Sequence, residues 1–416
     1  MARQNVFFGW QVVWAAFAIA VFGWGVGFYG PPVYLETVRT ARGWSVALVS
    51  GAVTVHFLAG VLVVANLPGL HRRFGLPAVT VAGAVSLAVG VLGWALAREP
   101  WQLYAATVLS GAGWVALGAA AVNAIVAPWF VTKRPAALST AYNGASVGGV
   151  IFSPLWVALI SQVGFPVAAG IVGTSMIVMV AAIAYFVLSR TPDSLGQAPD
   201  GEVAKAVVGA ARPGVASWPV VSLWRDRTFL TLAAGMALAL FAQIGLIAHL
   251  ISLSAPALGA QGAGLAAGLA TAAAILGRTL VGWFMPQGAD RRLVASASLL
   301  VQVAGCGVLI AAGGTSVLLL LLGVVLFGLG IGNATSLPPL VAQTEFSKEI
   351  VARVVALIVA ISQAAYAFAP AVFGLVREIA PEAAVYALAA LVQVAAVAAY
   401  VAGRRRRDVP NAARVR

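Results

Sequence analysis

The sequence predicts an all-α membrane protein, with twelve transmembrane helices in two pseudo-symmetric halves of six. Three observations predict it. Of 416 residues, 62% are hydrophobic and 9% charged, and the mean hydropathy is +0.98; a soluble domain carries about 25% charged residues on its wetted surface. Apolar stretches of about 20 residues recur along the chain, each long enough to cross a hydrocarbon layer roughly 30 Å thick. The basic residues fall unevenly between those stretches. The same composition excludes disorder, which needs low hydrophobicity. The one cysteine, Cys306, excludes an intrachain disulfide framework and any Cys-based zinc or iron–sulfur centre.

In chain order, the spans are predicted over residues 9–30, 46–67, 75–97, 101–127, 136–160 and 165–188, then 228–252, 259–285, 292–312, 316–337, 351–376 and 382–402. The first is too long for the apolar core of a signal peptide and runs on into membrane chain, so it reads as an uncleaved span. With the N-terminus placed in the cytoplasm, 20 Lys and Arg fall in cytoplasmic segments and only Arg39, Arg42, Arg98 and Arg377 on the opposite side. Cytoplasmic loops of membrane proteins carry that excess, so both termini are expected inside. The net charge of +13 is thereby accounted for without nucleic acid. Arg404 to Arg407 read as an anchor on anionic lipid headgroups.

The longest connection divides the chain. Residues 1–190 are expected to form one six-helix bundle, 191–227 a cytoplasmic linker with Pro192, Pro199, Pro213 and Pro219, 228–403 a second bundle, and 404–416 a basic cytoplasmic tail. The halves repeat. Phe130 to Pro154 and Phe346 to Pro370 each run 24 residues from a basic loop to a proline within a span. His56-Phe-Leu-Ala-Gly60 in span 2 aligns with Arg278-Thr-Leu-Val-Gly282 in span 8. Repeats around a central site are the architecture of secondary transporters.

Twelve spans with a central cytoplasmic loop resemble the major facilitator superfamily. Within it, PWFVTKRPAALSTAYNGASVGGVIFSPL (128–155) is similar to the helix 4–5 region of monocarboxylate transporters and oxalate:formate antiporters. GRTLVG (277–282) resembles their helix 8 arginine segment, and FFGW (7–10) the aromatic start of their first helix. The chain departs from the pattern at three places. The loop between spans 2 and 3 reads PGLHRRFG, with Arg72 where the superfamily signature has an acid. The helix 8 acid one turn before the arginine is Ala274, and 355–376 hold no Lys or Arg to match the second basic residue of the oxalate carriers.

All twelve acidic residues lie in loops or at span ends, and none lies inside a predicted span. Cation carriage and the usual proton relay rely on intramembrane carboxylates, and metal transport needs oxygen or thiolate ligands, so cationic substrates are not expected. Among side chains ionised at pH 7, Arg278 alone stands clearly within a span. Burying an arginine costs at least about 2.5–3.5 kcal/mol, and the spans supply no acid to offset it. A bound carboxylate would, since the guanidinium fork matches its two oxygens. The alternative is an arginine that snorkels towards helix-end carbonyls.

His56, placed by pseudo-symmetry opposite Arg278, is either a packing residue or a proton carrier or second anion contact. Gln363 and Tyr366 share one face of span 11 near the midplane, where they could orient a carboxylate or bond a neighbouring helix. Tyr29 and Tyr104, near the ends of spans 1 and 4, suit either a cavity wall or an aromatic belt. Asn143 stands beside Gly144, Gly148 and Gly149 on a small-residue face that favours helix packing, with a binding role as the alternative. GLGIGN (328–333) resembles a nucleotide loop only in letters, since no strand precedes it.

The resulting expectation is a secondary transporter, not an enzyme, that moves a small organic anion, above all a monocarboxylate, by alternating access. Arg278, Tyr366, Gln363, His56, Tyr29, Tyr104 and Asn143 are its candidate substrate residues. Nitrate- or phosphate-type inorganic anions remain an alternative, as do drugs or sugars. No cofactor is expected. The partners are the anion, a co-transported proton or an exchanged anion, and membrane lipid, with the chain monomeric in the plasma (bacterial inner) membrane.

Overall fold

A computed structural model describes residues 7–201, 223–286, 288–347 and 349–404, and among them the regular structure is helical, with no strand. The tail beyond Arg404 and the middle of the linker lie outside the described residues.

The first span does not stop at residue 30. Helix α1 (Gly9–Gly27) breaks at Phe28 and Tyr29, and α2 (Gly30–Arg42) restarts on Pro31 and Pro32. Proline suits the opening turn of a helix, where an N–H would have no partner. Span 2 is α3 (Val46–Phe74), whose Ser45 hydroxyl accepts from the Leu48 N–H at its start. Helix α4 (Leu76–Leu96) follows. Span 4 is split into α5 (Pro100–Val115) and α6 (Ala119–Val126); then come α7 (Arg134–Val163) and α8 (Phe165–Ile183), which a π turn extends to Leu188.

Spans 7 and 8 form one helical run, α9 (Arg227–Phe284), capped by the Asp226 carboxylate. Its 58 residues would measure about 87 Å if straight, far more than one crossing. It folds back at Gly259, where φ is 68° and ψ 170°, three residues after Pro256. Only glycine adopts that conformation without strain. The chain continues through α10 (Arg291–Ala312), α11 (Val317–Glu345), α12 (Val351–Ala367), α13 (Ala369–Ile379) and α14 (Glu382–Ala402). Eleven stretches among the described residues are long and apolar enough to span, and the doubled α9 supplies the twelfth crossing. An even number puts both ends of the helical bundle on one side, here the terminal side.

Helices α1 to α8 pack as one bundle, with α1 along α7 and α4 against α5 and α8. Helices α9 to α14 pack as another, with α9 and α10 both against α11 and α14. Large apolar side chains such as Leu62, Val178, Leu318 and Leu391 face outward, which suits hydrocarbon rather than water. The small-residue face of α7 is a packing surface: Gly144 and Gly148 meet the Phe17 and Val21 carbonyls of α1 so closely that a Cβ would overlap them.

At the terminal side of the second bundle, Arg292 is 1% exposed. It makes two bonds to Glu345, of 2.7 and 2.8 Å, and others to the Thr228 carbonyl at 2.8 Å and the Thr231 hydroxyl at 3.0 Å. Three buried glutamines join α9, α10 and α14: Gln243 and Gln393 both donate to the Gln302 side-chain oxygen, at 3.0 and 2.7 Å.

The start of the linker is strapped to the first bundle. Asp200 takes a left-handed conformation, and its carboxylate accepts from the backbone N–H groups of Val131, Thr132 and Lys133. Burial pushes its pKa up, but the three donors outweigh that and hold it below the ordinary carboxylate value. Gln197 accepts from the Phe8 N–H, and Arg190 lies over the Phe8 ring.

The bundles meet chiefly on the side away from the termini. Glu378 accepts from the Ala47 N–H at 2.8 Å, and the Thr54 hydroxyl accepts from the Ala371 N–H at 3.1 Å. Gly374 abuts Ser50, and Gly264 abuts Val157.

Candidate substrate site

Between the bundles lies a cavity of about 380 Å³. Helical spacing selects what lines it. Span 2 contributes Phe57, Gly60, Val61 and Val64, one face at intervals of three and four, and span 11 contributes Val359, Gln363 and Tyr366 on the same principle. Trp24 and Phe28 come from span 1, Trp114 and Asn123 from span 4, Leu240 and Ile244 from span 7, and Thr335 from span 10.

The aromatic rings form a continuous wall across both halves. Trp24 meets Trp114 edge to face at 5.1 Å; Trp114 lies 6.0 Å from Phe28, Phe28 lies 6.0 Å from Phe57, and Phe57 meets Tyr366 at 5.9 Å. The Asn123 amide donates to the Ala119 carbonyl and contacts the Tyr142 hydroxyl, and the Thr335 hydroxyl donates to the Gly332 carbonyl. Those groups are occupied within the wall. Gln363 and Tyr366 lie within reach of one another at its edge.

Arg278 sits beside this cavity. Its side chain packs on Gly332, and Thr335, one turn on along α11, lines the cavity. The residue is half-buried, its Nε is buried without a hydrogen-bond partner, and no ion pair among the described residues includes it. Tyr29 is within electrostatic reach of the guanidinium. The Tyr29 ring and the Thr271 methyl converge on Gly149, which has no side chain to exclude them. Tyr29 and Thr271 also border a small void of about 20 Å³ with Ser153 and Ile331.

The structure therefore sets Arg278 near Tyr29, which borders the small void, and Gln363 with Tyr366 in the lining of the larger cavity; neither Arg278 nor Tyr29 lines that cavity. It places the remaining three candidates elsewhere. His56 is 1% exposed inside the first bundle, with Nδ1 at 2.8 Å from the Ser110 hydroxyl and Nε2 at 2.8 Å from the Gly27 carbonyl. Trp94 donates to the same hydroxyl at 3.1 Å. The cavity takes Phe57 instead, because one residue along a helix turns the side chain by about 100°. The Tyr104 hydroxyl donates to the Leu48 carbonyl at 3.0 Å, within the first bundle. Asn143 is exposed and outside the cavity lining, one residue before the glycine that packs on α1. Sequence reasoning missed the aromatic wall, although Trp24 and Phe28 stand four apart and Phe57 follows His56. It also missed Thr271, two turns before Arg278.

The family model of the Major Facilitator Superfamily matches residues 13–370. Curated relatives include MFS-type transporter 1 of Ophiocordyceps sp. (strain BCC 1869), 31% identical over 192 residues, which are 45% of this chain and 42% of that protein. Another is MFS transporter asaE of Aspergillus flavus, 30% identical over 136 residues, 32% of this chain and 30% of that protein. The match thus spans less than half the length of either relative. Among solved structures, the nucleoside transporter NupG superposes with a TM-score of 0.73 at 13% identity, over 96% of this chain and all of that one. A bacterial homologue of the human lysosomal transporter Spinster, inward-facing and unoccupied, gives 0.67 at 16% identity over 95% of each chain. At such identities the likeness is one of fold.

Proposed function

This chain belongs to the major facilitator superfamily, and on that premise we propose that it carries a small organic anion, a monocarboxylate above all, across the plasma (bacterial inner) membrane. The observation that carries the reading is Arg278: a half-buried guanidinium near Tyr29 of the first bundle, with its Nε unpartnered and, among the described residues, no carboxylate paired with it. A bound carboxylate supplies the missing counter-charge, and Tyr29, Gln363 and Tyr366 orient it from the two sides. Transport follows from the two halves rocking about that site, open in turn to each face. The contacts between Ala47 and Glu378 and between Thr54 and Ala371 close the side away from the termini in this conformation. With the termini cytoplasmic, as the basic loops favour, the cavity faces inward. Charge balance is met by anion exchange, or by proton and anion entering together without a protein relay, because His56 is packed away from the cavity. A monomer suffices for this cycle.

The test is uptake of labelled lactate, pyruvate, formate, oxalate and nitrate into proteoliposomes, with Arg278→Lys beside wild type. The monocarboxylates are expected to be carried in preference to oxalate and nitrate. The lysine variant should lose about tenfold or more in apparent affinity, because an ammonium keeps the charge but not the bidentate fork. Wild-type uptake by the lysine variant refutes a carboxylate held by that fork.

A further inference from the structure

The cavity wall carries information about the rest of the substrate. Its volume, about 380 Å³, equals that of about a dozen waters at roughly 30 Å³ each. An anion of three to six heavy atoms held at Arg278 would leave most of that space, and most of the aromatic surface, in contact with water. The surface is substantial: Trp24, Phe28, Phe57 and Trp114 from the first half face Tyr366 from the second. Consecutive rings stand 5.1 to 6.0 Å apart in edge-on and tilted pairs, within the range that aromatic pairs favour.

Its polar inventory is short. Asn123 and Thr335 are committed to carbonyls of their own helices. Gln363 and the Tyr366 hydroxyl remain at the edge of the wall. A sugar or nucleoside, with many hydroxyls to satisfy, would lose more hydrogen bonds to water than this lining returns. No carboxylate among the described residues lines the cavity to receive an amine. Arg278 packs on Gly332, one turn from the lining residue Thr335, and the lining itself is chiefly apolar.

Resting on the anion reading above, we propose that the substrate is a monocarboxylate with a planar aromatic body of one or two rings. The ring lies among Trp114, Phe57 and Tyr366, and the carboxylate meets Arg278. Phe57 and Trp114 are then specificity residues: they decide which acid is taken, whereas Arg278 decides that an acid is taken.

Binding of three probes to the purified full-length protein in lipid nanodiscs tests this: indole-3-acetate, acetate, and the uncharged indole-3-acetamide. Indole-3-acetate is expected to bind at least about tenfold more tightly than acetate, and at least about tenfold more tightly than its amide. In Trp114→Ala and Phe57→Leu the ratio of indole-3-acetate to acetate affinity should fall at least about fivefold, while Phe57→Tyr should keep it. A ratio is the readout because general damage to the site weakens both acids together. The thermal midpoint of each variant without ligand establishes that it is folded, and Phe57→Leu keeps the test valid if Trp114→Ala is not. A wild-type ratio below about two, with Arg278→Gln abolishing binding of both acids, overturns the aromatic proposal and leaves the anion reading standing. So does an unchanged ratio in folded Trp114→Ala and Phe57→Leu. If the amide binds as tightly as the acid, the anion reading falls, and this proposal with it.

Discussion

Replacing Glu345 by alanine tests the most heavily bonded charge among the described residues, Arg292. Arg292 is 1% exposed and donates two bonds to Glu345, whose own side chain is 17% exposed. Its remaining partners, the Thr228 and Tyr400 carbonyls and the Thr231 hydroxyl, are neutral. Removing the carboxylate leaves a buried cation without a counter-charge, a change that costs about 3–5 kcal/mol. The partial exposure of Glu345 places the expectation at the lower end, about 3 kcal/mol, because water can enter the vacated space. For a unit the size of one half, each kcal/mol moves the thermal midpoint by about 2–4 °C, so a fall of about 6–12 °C is expected. The assay is thermal unfolding in detergent of wild type, Glu345→Ala, and the double variant Arg292→Leu/Glu345→Leu. The double variant should lie within about 1 kcal/mol of wild type or above it, since removing both charges also removes their desolvation cost. A Glu345→Ala midpoint within 2–3 °C of wild type, or a double variant no better than the single, would show that the guanidinium is satisfied by its neutral partners.

His56→Ala should lower stability by about 2–3 kcal/mol, through a cavity and lost bonds to Ser110 and Gly27, as thermal unfolding would show. His56→Gln should keep pH-gradient-driven uptake; accumulation lost with exchange preserved makes His56 the proton carrier after all. On a Cys306→Ser background, a membrane-impermeant thiol reagent applied to intact cells should modify Gln162→Cys, which is exposed beyond the far end of span 5, and not Ser194→Cys in the strap; the reverse pattern inverts the topology. Asp200 has a folded pKa below its unfolded one, so its contribution to holding the strap is full above about pH 4 and is lost as the pH falls through the folded value. Asp200→Ala should therefore cleave faster than wild type in the linker on limited proteolysis at pH 7, and equal rates would show that the strap holds without the carboxylate.

The fold was legible because the hydrocarbon layer sets a length that any span must meet, and a run such as 382–402 meets it with no competing reading. The breaks were less legible. Pro31 and Pro32 mark the restart of α2 in hindsight, but proline in a membrane helix is compatible with either a kink or a new start. At the site, depth in a span separated Arg278 from the other cations, and that reading needed only the sequence. Facing did not come as easily. His56 and Phe57 are neighbours, and choosing which of them looks into a cavity needs the rotation of the helix within its bundle, which only packing partners decide. Arg292 shows the same limit: its carboxylate lies 53 residues away, beyond any local pattern.

The absence of slack at Gly259 gives the long helix α9 a consequence of its own. Where spans are joined by a loop, an extra residue is absorbed in the loop. Here the return from span 7 to span 8 is made at one glycine, and helical structure resumes at once up to Phe284. Arg278 is thus held in angular phase by the 19 residues counted from that joint. One residue inserted after it would swing the guanidinium by about 100° and shift it by about 1.5 Å along the helix axis. If Arg278 holds the substrate as proposed, chain length at this return sets what the protein can bind as much as the identity of the arginine does.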